Sequence, residues 1–258
     1  MQKGIKFRIY PNREQKNFIH QTLGCCRLIY NRGLAMRKES YEEGKKIGYI
    51  QTSAMLTELK RQEEFAFLKA ADSIALQQSL RDLDRSFVNF FQKRASYPTF
   101  KSKHNRFQSY RTVNQKDNIR IVGRYIKLPK LGFVKIRQSM EVGKINHVTI
   151  EYTPAGKYFA VLNIDFEPEP RPNAGGTIGI DVGIKAFYSD SNGNTVSNPR
   201  YLERAMQKLV REQRRLSRKQ KDSHNRGKQR LRVARVHEKI ANQRNDFLQK
   251  QSTMLVRE

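Results

Sequence analysis

The sequence has no tryptophan, two cysteines, five histidines and only 24 acidic residues against 51 lysines and arginines in 258. The two cysteines, Cys25 and Cys26, are adjacent. Neighbouring cysteines cannot staple a fold, and they lack the spaced pairs of a zinc site, so a disulfide framework and a zinc module are both excluded for this chain. No run approaches the roughly 18 consecutive apolar residues of a membrane-spanning helix. The opening MQKGIKFRIY has no apolar core of a secretory signal. These absences lead us to expect a soluble protein of a reducing, cytoplasmic compartment with no membrane partner.

What is present is positive charge. The net charge is +27, the sequence pI is near 10.3 and the mean hydropathy is −0.78. Hydrophobic residues still make up 37% and aromatics 10%, enough for a packed core. Charge of this size strains a compact fold by self-repulsion, and a polyanion relieves it. The placement is uneven. Residues 93–137 hold 13 basic residues and one acid, and residues 200–244 hold 16 basic residues and four acids. Each stretch therefore carries +12, together 24 of the 27 net charges. A uniform solubility coat would not be distributed in this way. Nucleic acid is the expected partner, through counterion release at neutralised phosphates. An anionic membrane surface is the rival, and it would need a strongly apolar helix face.

The hydrophobic period changes along the chain. Ile5, Phe7 and Ile9 alternate with Lys6 and Arg8, which reads as a strand over 1–10. Asn12 followed by Gln15 resembles a capping box. Residues 12–92 then read as helices. Ile19, Leu23, Cys26, Tyr30 and Leu34 form one stripe, a second helix is expected at about 52–64, and a third opens at Asp72 or Ser73 and carries Leu76, Leu80, Leu83, Phe87 and Phe90. The polar face of that third helix bears Gln77, Gln78, Arg81 and Arg85. It is either a solvated face or a surface that pairs with base edges.

From 93 to 170 the period becomes that of short strands between turns, as in a small antiparallel barrel or sandwich. Its first part, 97–110, mixes aromatic and basic side chains suited to base stacking and phosphate contact. Candidate contacts in and just after it are Tyr97, Lys101, Lys103, Arg106 and Arg111. A Pro- and Gly-rich run over 167–176 marks a boundary, with the linker itself at 171–176. Beyond it, a buried apolar strand is expected to run into Asp181. Gly183 allows a tight turn, Ser191–Asn194 makes a hairpin, and two long basic helices follow at about 199–219 and 228–256. Arg211, Arg214, Arg215, Arg218, Arg232 and Arg235 on these helices are candidates to track a phosphate backbone.

A carboxylate delivered by an apolar strand before a glycine is what a two-metal nuclease of RNase H-like fold requires. Two Mg²⁺ ions cannot be held by one aspartate, so such a site needs at least two further acids. The same short pattern serves phosphate loops of actin-like sugar kinases, but those need further Gly-rich turns that this chain lacks. It also occurs where a strand-end aspartate caps a turn.

Taken together, GIDVGIKAFYSDSNG (179–193), NPRYLERAMQKLVREQRRLSRK (198–219) and HEKIANQRNDFLQK (237–250) resemble the start of the RuvC-like nuclease domain of TnpB proteins. Those are insertion-sequence-borne, RNA-guided DNA endonucleases related to type V CRISPR effectors. LGCCRLIYNRGL (23–34), DSIALQQSLRDLDRSFVNFF (72–91) and YPTFKSK (97–103) agree, and the family's order is kept along the whole chain.

The resemblance implies an α+β multidomain protein. A helical recognition lobe (11–92) is inserted in a small antiparallel β-barrel or wedge domain (1–10 and 93–170), followed by the first part of an RNase H-like (RuvC) domain with a long basic helical hairpin (177–258). It implies guide RNA from the transposon end and target double-stranded DNA as partners, in a prokaryotic, nucleoid-associated setting. It also implies Mg²⁺ as the cofactor of the complete nuclease, with Asp181 as its first catalytic acid and metal ligand. The family's later catalytic Glu and Asp and its four-Cys zinc module have no counterparts here. The expected chain is therefore a C-terminally truncated nuclease that binds without cutting, with a nuclease-dead regulator or a DNA-strand transferase as the alternatives.

Overall fold

The computed structural model describes residues 1–105, 107–168 and 176–257, and resolves into two compact units. The first comprises 1–153 and 157–168. The second comprises 154–156 and the described residues from 176 onward. Arg106, most of the proposed linker and Glu258 lie outside the described residues.

The first unit starts with strand β1 (Gln2–Tyr10), in which Phe7 and Ile9 are buried, as their alternation requires. Asn12 then caps helix α1 (Arg13–Glu42). Its side-chain oxygen accepts from the Gln15 amide at 2.8 Å, and its own amide donates to Gln15 Oε1 at 3.0 Å. Gln15 also donates to the Phe133 carbonyl at 2.8 Å, which ties the helix start to the sheet. All five residues of the expected α1 stripe are buried, together with Cys25. Helix α2 (Tyr49–Arg61) starts and ends about three residues earlier than expected, because the Gln51 side chain accepts from the Gly48 amide and so opens the helix there. Gln62 is extended, and a 3-10 turn over Glu63–Lys69 buries Phe65 and Leu68. Asp72 caps helix α3 (Ser73–Phe91) by accepting from the amides of Ile74 and Ala75. Leu76, Leu80, Leu83 and Phe87 are buried, and Phe90 is half-buried. At Gly33 the two helices meet so closely that an added Cβ would stand 2.9 Å from a Leu80 methyl and 3.0 Å from a Leu83 methyl.

Six further strands complete the sheet: β2 (Gln108–Val113), β3 (Arg120–Val122), β4 (Tyr125–Leu128), β5 (Gly132–Arg137), β6 (Ile145–Tyr152) and β7 (Tyr158–Asp165). The curled antiparallel order is β2-β6-β7-β1-β5-β4-β3, so the N-terminal strand lies in the middle, paired to β7 and β5. Strand β2 was not anticipated as a strand. It begins inside the basic-aromatic stretch, and only Tyr110 and Thr112, both buried, mark its alternation. Helices α1, α2 and α3 and the sheet share one hydrophobic core.

The second unit holds a three-stranded antiparallel sheet, β10-β9-β8, made of β8 (Ile180–Val182), β9 (Ala186–Asp190) and β10 (Thr195–Ser197). The β9–β10 hairpin closes at Gly193 (φ +85°), with the Asp190 carboxylate accepting from the amides of Asn192 and Asn194. Helices α4 (Tyr201–Ser217) and α5 (His224–Arg257) form the basic hairpin. Helix α5 opens four residues before the expected Lys228, because the Ser223 hydroxyl accepts from the Arg226 amide and supplies a cap. Leu209 of α4 and Val233 and Ile240 of α5 are the buried aliphatic residues of the hairpin. Met206 and Leu248, which the helical spacing of apolar residues in the two basic helices would also place in the seam, are exposed. No described helix is long and apolar enough to cross a membrane.

Candidate nucleic-acid interface and carboxylate site

The cationic residues fall on three surfaces. On α3, Gln77, Arg81 and Arg85 recur every four residues and are exposed on one face, with Gln78 half-buried beside them. The Arg81 guanidinium lies 4.7 Å from the Tyr49 ring centroid, which orients it without neutralising it.

The second surface runs from the end of α3 into β2. Tyr97 and Lys103 are exposed. Asn31 grips the Lys101 backbone, and the Lys101 ammonium folds back 4.0 Å over the Tyr30 ring. Loss of water lowers the pKa of that ammonium, with Asp82 and Cys26 opposing the shift. Arg111 is half-buried and ion-paired with Asp82, so its charge is already partly spent within the fold. Arg106 lies outside the described residues.

The third surface is the α4–α5 hairpin. Glu212 is its one buried acid. Gln229 donates to its carboxylate at 2.7 Å and to its carbonyl at 3.0 Å, and Arg215 stands 3.0 Å and Arg211 3.9 Å from it. The Gln229 hydrogen bond, and after it the charges of Arg215, Arg211 and Arg232, hold this carboxyl below its usual range. Arg214 and Arg218 are exposed beside Met206 and Val210 on an open face of α4. Between the helices lies a groove of about 570 Å³, walled by Arg204, Lys208, Arg232, Arg235 and Lys239 over a floor of Ala205, Val236 and Ile240. Arg204, Lys208 and Lys239 were missed from sequence. Their spacing of four on α4, and of four beyond Arg235 on α5, was the available signal. Arg204, Lys208, Arg235 and Lys239 form no ion pair among the described residues.

Asp181 sits in the middle of β8, not at its end, and all three residues of that strand are exposed. The expected buried strand is corrected here. Among the described residues β8 pairs only with β9, and Ile180 and Val182 are both exposed. Asp181 stands opposite Ser189, which stands opposite Thr195, and the two hydroxyls are 3.2 Å apart. Cross-strand partners share a face, so the carboxylate belongs to a hydroxyl-bearing row. Gly183 matters by close approach: a Cβ there would meet the Ala186 carbonyl at 3.3 Å. Among the described residues, no group of three acids, histidines or cysteines could hold a metal ion. One carboxylate does not make a Mg²⁺ site alone.

Comparison with known proteins assigns the chain. A family model described as "Probable transposase" (OrfB_IS605) matches residues 147–258, and a "Helix-turn-helix domain" of the same OrfB type matches residues 1–46. The chain belongs to the TnpB family. It is 38% identical, over its full length, to a Streptomyces pristinaespiralis protein named "Putative RNA-guided DNA endonuclease". It is 35% identical over 97% of its length to "Putative RNA-guided DNA endonuclease InsQ" of Escherichia coli K12. It spans 65% and 62% of these two TnpB relatives, under two thirds of each. A solved structure titled "Cryo-EM structure of CRISPR-Cas12f Ternary Complex" aligns over 95% of this chain and 60% of that one, at 13% identity and a TM-score of 0.35, too low to bear on the fold.

Proposed function

We propose that this TnpB-family chain holds guide RNA and target DNA for an RNA-guided DNA endonuclease, with Asp181 as the first of the carboxylates that bind Mg²⁺. The observation that carries the reading is the 38% identity, along the entire chain, to a relative named for that activity. The surfaces supply matching chemistry. Arg81 and Arg85 present paired N–H donors, and Gln77 a donor beside an acceptor, to base edges, as protein readout of a short flanking motif requires, while base pairing with the guide reads the rest. The hairpin groove, lined by five cations, suits a phosphate backbone. When bound, Mg²⁺ would activate water and stabilise the leaving oxygen of the phosphodiester. In this chain Asp181 holds one carboxylate at an exposed strand position, and among the described residues no group of three metal-binding side chains forms around it. The chain accordingly binds without cutting by itself.

The test is a binding and cleavage assay of the 258-residue chain with transposon-end RNA, target duplex and Mg²⁺. RNA binding should weaken a thousandfold or more between about 50 and 200 mM salt, as roughly six to ten phosphate contacts demand. Salt-independent binding overturns the reading. Strand breaks that vanish in Asp181→Ala overturn the non-cutting part of it, and joined transposon ends would establish strand transfer instead.

A further inference from the structure

Between α3 and β2 the described residues from 92 to 107 form neither helix nor strand, yet the segment is held at several points. The Lys101 amide donates to Asn31 Oδ1 at 2.8 Å, and Asn31 Nδ2 donates back to the Lys101 carbonyl at 2.9 Å. Tyr97 sets its edge against Phe87 and Phe90, with centroids 5.5 and 5.2 Å away, and Pro98 is buried. A segment clamped in this way does not need solvent-facing aromatic rings to keep its place. It has them nonetheless: Phe100 and Phe107 are 54% and 75% exposed, and Phe91, the last residue of α3 just before it, is 72% exposed. Single exposed apolar residues are ordinary, but two on one short cationic segment and a third on the helix end that leads into it mark an interaction surface.

Phe107 stands on the rim of a pocket of about 220 Å³ between α1, α3 and β2. Inside it the Asp82 carboxylate pairs with the Arg111 guanidinium, and Arg27, Lys101 and Ser79 complete the polar wall. A phosphate carries only acceptors and leaves the acceptors of this wall, the Asp82 carboxylate and the Ser79 hydroxyl among them, without a donor. A nucleobase edge carries N–H donors as well as acceptors and suits a wall that offers both. In a duplex the base faces are already stacked, so exposed aromatic rings can serve only bases that have left the stack. The absence of acids from 93 to 105, where Lys93, Arg94, Lys101 and Lys103 lie, disfavours an apolar protein partner.

We propose that this segment captures an unpaired nucleotide of a single strand, its base stacked on Phe107 over the pocket and a neighbouring base on Phe100. The proposal rests on the nucleic-acid reading above and adds which form of nucleic acid this face takes.

The test measures equilibrium binding of the full chain to a single-stranded RNA oligonucleotide and to the same sequence as a duplex. It compares Phe107→Ala and Phe100→Ala with Phe133→Ala, an exposed phenylalanine on β5. Each of the first two should weaken single-strand binding about tenfold, the loss of one stacked base. Duplex binding, the salt slope and the melting temperature should not move, because no phosphate contact or core residue is removed. The control should change nothing. Unchanged single-strand affinity in Phe107→Ala, or an equal loss for strand and duplex, overturns the proposal and leaves the nucleic-acid reading standing. A wild-type chain that binds neither form sinks both.

Discussion

The first unit gathers α1, α2, α3 and seven strands around one main core, with a smaller cluster of Tyr30, Leu34, Leu83 and Phe87 between α1 and α3, and each of its long helices starts at a side-chain cap. In the second unit, three buried aliphatic residues and one buried acid join two long helices whose stretch of chain carries +12 over 200–244. The first is organised by removing apolar surface from water, at about 25 cal/mol per Å². The second keeps like charges close on a thin seam, a state that self-repulsion opposes and a polyanion stabilises. Folding stability should therefore concentrate in the first unit, and sensitivity to salt and bound nucleic acid in the second.

Substitutions can break or sharpen that contrast. Leu80→Ala removes a fully buried side chain where α3 meets α1 and should cost about 2–5 kcal/mol in urea denaturation. Leu209→Ala, on the hairpin seam, should cost clearly less, and equal costs would erase the contrast. Gly33→Ala pushes a methyl into Leu80 and Leu83 and should destabilise by about 1–3 kcal/mol, read from the same transition. Asn12→Ala leaves the first turn of α1 without its cap and should cost about 1 kcal/mol.

The smallest effect is a pH dependence in the second unit. Glu212 is held below its ordinary value of 4.5 in the folded hairpin. Its contribution is therefore present above about that value and lost as pH falls through the lower folded one. Circular dichroism should show helix loss beginning on that acid limb, and Glu212→Gln should flatten it.

How much of this was legible in the sequence depended on the signal. The α1 and α3 stripes and the Asn12–Gln15 box were readable because they are local: spacing and capping chemistry lie within a few residues. The strand over 1–10 was readable too, but its central place in the sheet was not, since its partners β5 and β7 lie more than 100 residues away. β2 was obscured because its basic and aromatic residues spoke for a loop, while only two alternating positions spoke for a strand. At the site, helical spacing found the Arg positions on α4 and α5. The groove between the helices, and with it Arg204, Lys208 and Lys239, depends on how two helices pair, which one helix's pattern does not encode. Asp181 was named from its flanking pattern, but its exposure follows from the unpaired side of β8, a tertiary fact.

The vicinal thiols in α1 have a practical corollary. Burial pushes the pKa of both Cys25 and Cys26 upward, so at neutral pH neither offers an appreciable thiolate to an alkylating reagent. A cysteine introduced on the solvent side of the basic hairpin would then be the fast-reacting sulfur of the molecule. A fluorophore or crosslinker attached there would report on its occupant with the native pair left in place.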